Sequence, residues 1–288
     1  MWIKDEGCEG VVNAAWDVSM EAAPMLKVLH KVNNCQSHLK SWNKNVFGNI
    51  KGTLVQKRKL LAKAELGVVS GQNFGQVKDL KEEINKLLDL EECMWSLRAK
   101  TDWLRYGDRN SKYFHCRAFD RNKRNFISGL EDGSWVEEED RIGELLNDFY
   151  SSLFSSSNPT EFDAVLDGVE PRVTREMNES LTRPFVASEV QTALAQMKAN
   201  ASTGPDGFPP LFCKQYWPKI GAEVSDTVIG VLNTGILPYE FNHTFLTLIP
   251  KIKSSRGVSD FRPISLTNVL YKLIANVLSN RLKSFCLS

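Results

Sequence analysis

The chain has 288 residues, 42% hydrophobic and 25% charged, the make-up of an ordinary globular protein with material for one or two domains. No apolar run approaches the ~20 residues that cross a bilayer, and Asp5, Glu6 and Glu9 close to Met1 argue against a secretory leader, so an intracellular protein without membrane partners is expected, nuclear or cytoplasmic. The net charge of +1 conceals a split of +7 over residues 1–130, −11 over 131–190 and +5 over 191–288, which suits either a polyanion on the basic faces or plain solvated helix surfaces.

Residues 1–19 show no clear period. From Glu21 to Phe47 the apolar positions Val28, Val32, Cys35, Leu39, Trp42 and Val46 alternate spacings of four and three, which predicts a helix in need of a partner helix, with Pro24 in its first turn. Ile50, Leu54 and Leu61 resume a helical face beyond Gly48, and the Gly-rich stretch 67–76 reads as a loop. A second long helix carries Val77, Leu80, Ile84, Leu87, Leu88, Met94 and Trp95 on one side, and an antiparallel hairpin of the two helices is expected. Over 103–125 the aromatics Trp103, Tyr106, Tyr113, Phe114 and Phe119 interleave with Arg105, Arg109, Lys112, Arg117, Arg121, Lys123 and Arg124. Such a stretch either holds a nucleic-acid strand by phosphate contacts and base stacking, or is a short helix with buried rings and snorkelling cations. The six cysteines are scattered without a Cys-x-x-Cys pair, as in reduced thiols.

Residues 126–136 predict a short hairpin with Asp132-Gly133 at its turn, followed by a helix whose first turn is acidic and whose buried side is Ile142, Leu145, Leu146, Phe149 and Leu153. Ser151–Thr160 reads as a linker. Ser188 and Gln191 have the spacing of a capping box. Residues 209–216 and 219–233 predict two helical pieces broken at Pro218 and stopped by Gly235. Phe245–Ile249 predicts a buried strand, Ile264–Leu266 its partner, and a last helix presents Leu270, Ile274, Val277, Leu278, Leu282 and Phe285 with nothing after it to cover them. The expected organisation is a helical connector with a basic-aromatic end (1–125), a hairpin, acidic helix and linker (126–180), and a third segment (181–288). The fold class is mainly α with minor β.

Three blocks in the third segment, Gly204-Pro-Asp-Gly207, Leu248-Ile-Pro-Lys251 and Asp260-Phe-Arg-Pro-Ile-Ser-Leu266, resemble the fingers of reverse transcriptases of LINE-type (non-LTR) retrotransposons, the kind common in plants. Trp103-Leu-Arg-Tyr-Gly-Asp-Arg-Asn-Ser-Lys-Tyr-Phe-His115 and Ser41-Trp-Asn-Lys-Asn-Val-Phe-Gly-Asn-Ile50 are similar to stretches of the connector ahead of that polymerase domain. The resemblance implies that Lys251 and Arg262 meet the triphosphate of the incoming nucleotide, a task suited to a point charge and a planar fork. Read without it, Lys251 is a solvated charge and Arg262 an ion-pair partner of Asp260.

The resemblance also implies two magnesium ions held by palm carboxylates, yet no Asp-Asp pair occurs in the sequence and no Asp or Glu follows Arg262. The chain is therefore expected to be a fragment, connector plus incomplete fingers with the palm missing as packing partner. It is expected to be inactive alone, with no catalytic or metal-binding residue and no cofactor of its own. RNA or DNA is the expected partner, and the alternative is a non-enzymatic nucleic-acid-binding helical module.

Overall fold

The computed structural model describes residues 2–68, 74–100, 111–160 and 162–286. It is mainly helical with two small antiparallel sheets, so the fold is mainly α with minor β. The chain divides into two compact units, Met1–Lys123 with Gln215–Ile220, and Arg124–Lys214 with Gly221–Ser288.

In the first unit the opening residues form helix α1 (Glu6–Trp16). Asp5 caps it by accepting the Gly7 amide at 2.9 Å. Its Cys8, Val12, Ala15 and Trp16 are buried, a narrow stripe hidden in a segment otherwise rich in small residues. Helix α2 (Pro24–Trp42) starts on Pro24, and its Val28, Val32, Cys35, Leu39 and Trp42 are buried as the spacing requires. Their partner, however, is α1 and not the helix after the Gly-rich stretch. A five-residue π turn at Asn43–Phe47 ends α2, and the chain resumes as a separate helix, α3 (Ile50–Val68). It is α3 that forms the antiparallel pair with α4 (Phe74–Ala99). Ile50 and Leu54 pack on Ile84, with Leu61, Leu87 and Leu88 around them, and exposed ion pairs Lys57–Glu83 (2.6 Å) and Lys81–Glu65 (3.1 Å) run along the seam. Helix α5 (Ser111–Asn125) follows, buried along Phe114. Residues 215–220 add Tyr216, whose hydroxyl donates to Cys8 Sγ at 3.3 Å, and Lys219, 2.5 Å from the Asp17 carboxylate.

In the second unit, strands β1 (Leu130–Asp132) and β2 (Ser134–Val136) make the expected hairpin around Gly133. Helix α6 (Glu139–Phe154) places Glu139 and Asp140 at its positive end. Its apolar side is less covered than the sequence suggests: Tyr150 is buried, but Phe149, Leu153 and Phe154 are exposed, because α7 (Asp163–Leu166) does not cover them and is itself exposed at Val165 and Leu166. Helix α8 (Arg175–Thr182) is capped by Thr174, which accepts the Met177 amide at 3.2 Å.

Helix α9 (Ala187–Gln196) begins ahead of Ser188, so the Ser188–Gln191 box does not form. Glu189 instead reaches back to the Val186 amide at 3.1 Å. Helix α10 (Pro210–Thr234) runs through Pro218 without a break, the lost amide being outweighed by buried residues on either side of it: Phe212, Cys213, Tyr216, Ile220 and Val224. It ends at Gly235, whose φ of 69° is a left-handed terminator that a side chain would strain.

After α11 (Tyr239–Asn242), strands β3 (Thr244–Pro250) and β4 (Phe261–Thr267) pair antiparallel, Ile249 facing Arg262 and Pro250 facing Phe261. This ribbon has only two strands, so Phe245, Leu246 and Ile264 are exposed and β3 is not the buried strand its composition suggests. The last helix, α12 (Val269–Cys286), does find a partner, and it lies upstream in sequence: Val269, Leu270, Leu273, Ile274 and Val277 are buried as α12 packs on α9, while Leu278 and Leu282 stay exposed. Among the described residues no helix is long and apolar enough to cross a membrane.

Candidate triphosphate and nucleic-acid interfaces

The three sequence blocks of the second unit form one device. The ribbon joins two of them, since Leu248–Pro250 pairs with Phe261–Pro263. The third, Gly204–Gly207, is locked onto the junction where β4 becomes α12. Asp206 is buried, and its carboxylate accepts the Val269 amide at 2.7 Å and the Phe208 amide at 3.3 Å; its own amide donates to Asn268 Oδ1 at 3.0 Å. The Asp206 side chain thus holds the first turn of α12. Gly204 is needed for the approach: a Cβ there would lie 2.3 Å from the Thr267 carbonyl oxygen. Burial pushes the Asp206 carboxyl above its ordinary pKa, against the pull of the two amides and of Lys272.

At the other end of the ribbon, Lys251 and Arg262 share one face. Arg262 stands opposite Ile249, and Lys251, two residues on, extends the ladder by donating its amide to the Asp260 carbonyl at 2.8 Å. The Lys251 ammonium donates to the Ser259 carbonyl at 2.6 Å. The Arg262 side chain is exposed and, among the described residues, makes no hydrogen bond or ion pair. The ion pair with Asp260 is not made, because that carboxylate accepts the amides of Arg256 (2.9 Å) and Gly257 (3.0 Å) instead, bonds that hold its pKa below the ordinary range. Asp260 therefore shapes the loop and leaves Arg262 available. The loop is held in turn by the hairpin: the Glu131 amide donates to the Arg256 carbonyl at 2.9 Å, and the Arg256 guanidinium sits 5.8 Å over the Trp135 ring.

The carboxylates near these cations do not fit paired magnesium ions. Both oxygens of Asp206 are taken by backbone amides, one oxygen of Asp260 accepts two more, and Asp226 stands exposed on α10. Among the described residues no group of three or more His, Cys, Asp or Glu lies together as a metal site.

In α5 the basic-aromatic stretch separates by helical geometry. Phe114 is buried, and Ala118, Arg121 and Asn125 continue that inward stripe. Lys112, Arg117, Lys123 and Arg124 are exposed, Arg117 lying 6.0 Å over the Tyr113 ring. Phe119 is 69% exposed, a flat apolar surface among cations. The two readings of this segment therefore apply to different faces of one helix, with Arg121 on the half-buried side. Arg105 and Arg109 lie outside the described residues.

Sequence reasoning missed Arg281. In α12 it is buried and uses all its donors: Nε and one terminal nitrogen bond the two Glu189 oxygens at 2.8 Å each, and the carbonyls of Leu181 (2.8 Å), Arg183 (2.6 Å) and Pro184 (3.0 Å) take the rest. Its guanidinium also lies 3.4 Å from the Phe185 ring centroid. Hydrogen bonding from Arg281, above all, holds the Glu189 carboxyl below the usual carboxylate range. The signal available in sequence was a lone Arg within an apolar helical run.

No family model matches the chain. It is similar to the transposon TX1 uncharacterized 149 kDa protein of Xenopus laevis, 28% identical over 256 residues, which takes in 78% of this chain and 20% of that protein. It is also similar to the retrovirus-related Pol polyprotein from type-2 retrotransposable element R2DM of Drosophila melanogaster, 28% identical over 169 residues, 58% of this chain and 15% of that one. Both relatives are proteins of transposable elements, one of them a retrotransposable element, and the chain spans a fifth or less of the length of either.

Proposed function

We propose that these residues are the connector and the N-terminal fingers of an RNA-directed DNA polymerase of a non-LTR retrotransposon, of the LINE type found in plants. The observation that carries this reading is the joining of the three fingers-like blocks into one device, with Asp206 and Gly204 fixing the root of α12 and the ribbon carrying Lys251 and Arg262 on one face. Arg262, exposed and unpaired, offers a guanidinium fork to triphosphate oxygens, and Lys251 adds a point charge beside it. The relatives from transposable elements support the same reading. Polymerisation itself requires metal-binding carboxylates, no cluster of which lies among the described residues, and a palm carrying them is the packing partner we assign to the exposed ribbon.

Binding of a fluorescent deoxynucleoside triphosphate with Mg²⁺ tests the reading. Weak binding, about millimolar, is expected for the chain alone, lowered by Arg262→Ala and by Lys251→Ala. Binding that ignores both substitutions would contradict it.

The exposed cations and Phe119 of α5 favour a second reading, a nucleic-acid-binding helical module without catalysis. Under that reading, single-stranded RNA binds with a steep dependence on salt and Arg262→Ala changes nothing.

A further inference from the structure

Within the first unit a cleft of about 450 Å³ is lined by the N-terminal turn, the α2–α3 junction, the end of α4 and the start of α5. Its walls are flat. Trp95 and His115 stack with ring centroids 3.4 Å apart and planes tilted by 35°, and the Arg98 guanidinium lies 5.0 Å over the Trp95 ring. Trp2 lines another side, held by its Nε1–H bond to Asn43 Oδ1 at 2.8 Å.

Several polar groups of the lining have hydrogen-bonding capacity left over among the described residues. Among the described residues Trp95 Nε1 is a buried donor without an acceptor, an arrangement that costs free energy unless a guest accepts the bond. Asn49 uses its Oδ1 to cap the start of α3 at the Gly52 amide (3.1 Å), so its amide nitrogen is left as a donor. Glu91 adds a carboxylate acceptor. Lys51 and Arg98 add cations with no ion pair among the described residues. A purely apolar guest would leave the donors unsatisfied, and a bare anion would use neither the rings nor Glu91. A planar heterocycle with ring acceptors, an amino donor and an adjoining phosphate uses all of them.

We propose that this cleft receives one unstacked base of a single-stranded nucleic acid. The proposal rests on the nucleic-acid reading of α5 and locates where a base is held. From His115 the strand follows the exposed face of α5, where Phe119 stands about 6 Å further along the helix, with Lys112 a turn before His115 and Lys123 a turn beyond Phe119.

Fluorescence anisotropy of the full chain tests this with three probes: a mixed-sequence dodecamer, a dodecamer of abasic deoxyribose units, and a free nucleoside monophosphate as competitor. The abasic strand should bind about tenfold more weakly than the normal one. Trp95→Phe, which keeps the ring and removes the donor, and Arg98→Gln should each weaken the normal strand about fivefold and leave abasic binding unchanged, with thermal melting showing the fold retained. Equal binding of normal and abasic strands, or wild-type affinity in both variants, overturns the cleft while leaving the α5 reading intact if Lys112→Ala with Lys123→Ala still weakens binding. Absence of strand binding overturns both, and competition by the mononucleotide as strong as by the strand overturns the assignment to a polymer.

Discussion

Arg281 and Glu189 show how one buried charge pair sets a junction that apolar patterning does not specify. The pair fixes α12 against the start of α9 and against the carbonyls ahead of it; truncating Arg281 leaves three backbone carbonyls without their donor, while Glu189, part-exposed, keeps the Arg183 guanidinium at 3.2 Å and the Val186 amide. Arg281→Ala should lower the unfolding free energy of the second unit by about 1–3 kcal/mol, read by chemical denaturation, and Arg281→Lys should recover only part of it because an ammonium cannot bond a carboxylate in the same fork. A loss under ~1 kcal/mol would show that the pair is incidental. Gly204→Ala meets backbone, not a movable side chain, and should cost roughly 1–3 kcal/mol by overpacking. Normal stability in that variant would mean that the turn is not pressed against Thr267.

At the scale of elements, much was legible because periodicity reports the buried side of a helix directly. The stripe of α2 and the Ile50–Leu54 face of α3 were read from spacing alone. Which helix covers which was not legible, since α1 hides its stripe among small residues and the π turn at Asn43–Phe47 separates α2 from α3, the helix that pairs with α4. Burial of β3 failed for a related reason: β-branched and aromatic residues define a strand, but the number of strands beside it decides its exposure. At the candidate site, Lys251 and Arg262 could be named from the order of the motifs. The loop-tying role of Asp260, which leaves Arg262 free, required the hydrogen bonds. For α5, Arg117→Ala with Lys123→Ala should reduce the log–log salt slope of single-stranded RNA binding by about 1.4, two phosphate contacts' worth. An unchanged slope would place the strand elsewhere.

Across the whole molecule, acid sensitivity follows from opposed carboxyls of the second unit. Glu189 and Asp260 have folded pKa values below their unfolded ones, so their contribution is present above pH ~4 and is lost as pH falls through the depressed values. Asp206 has the opposite sign: its raised pKa makes the fold bind that proton more tightly, so acidification partly offsets the loss. Glu189→Gln should therefore flatten the acid limb of the melting temperature against pH, and an unchanged limb would assign that sensitivity to other groups. The basic ends and the acidic middle, at +7, −11 and +5, put cations on residues 1–130 and 191–288, the proposed connector and fingers, where the two proposed polyanion contacts lie.

Primer extension on an RNA template with Mg²⁺, using the purified 288-residue chain, bears most directly on the reading of this chain as connector and fingers. No nucleotide incorporation is predicted, together with template binding of steep salt dependence. Incorporation that copurifies with the chain and falls away with Arg262→Ala would contradict the claim that the metal-binding carboxylates come from outside these residues.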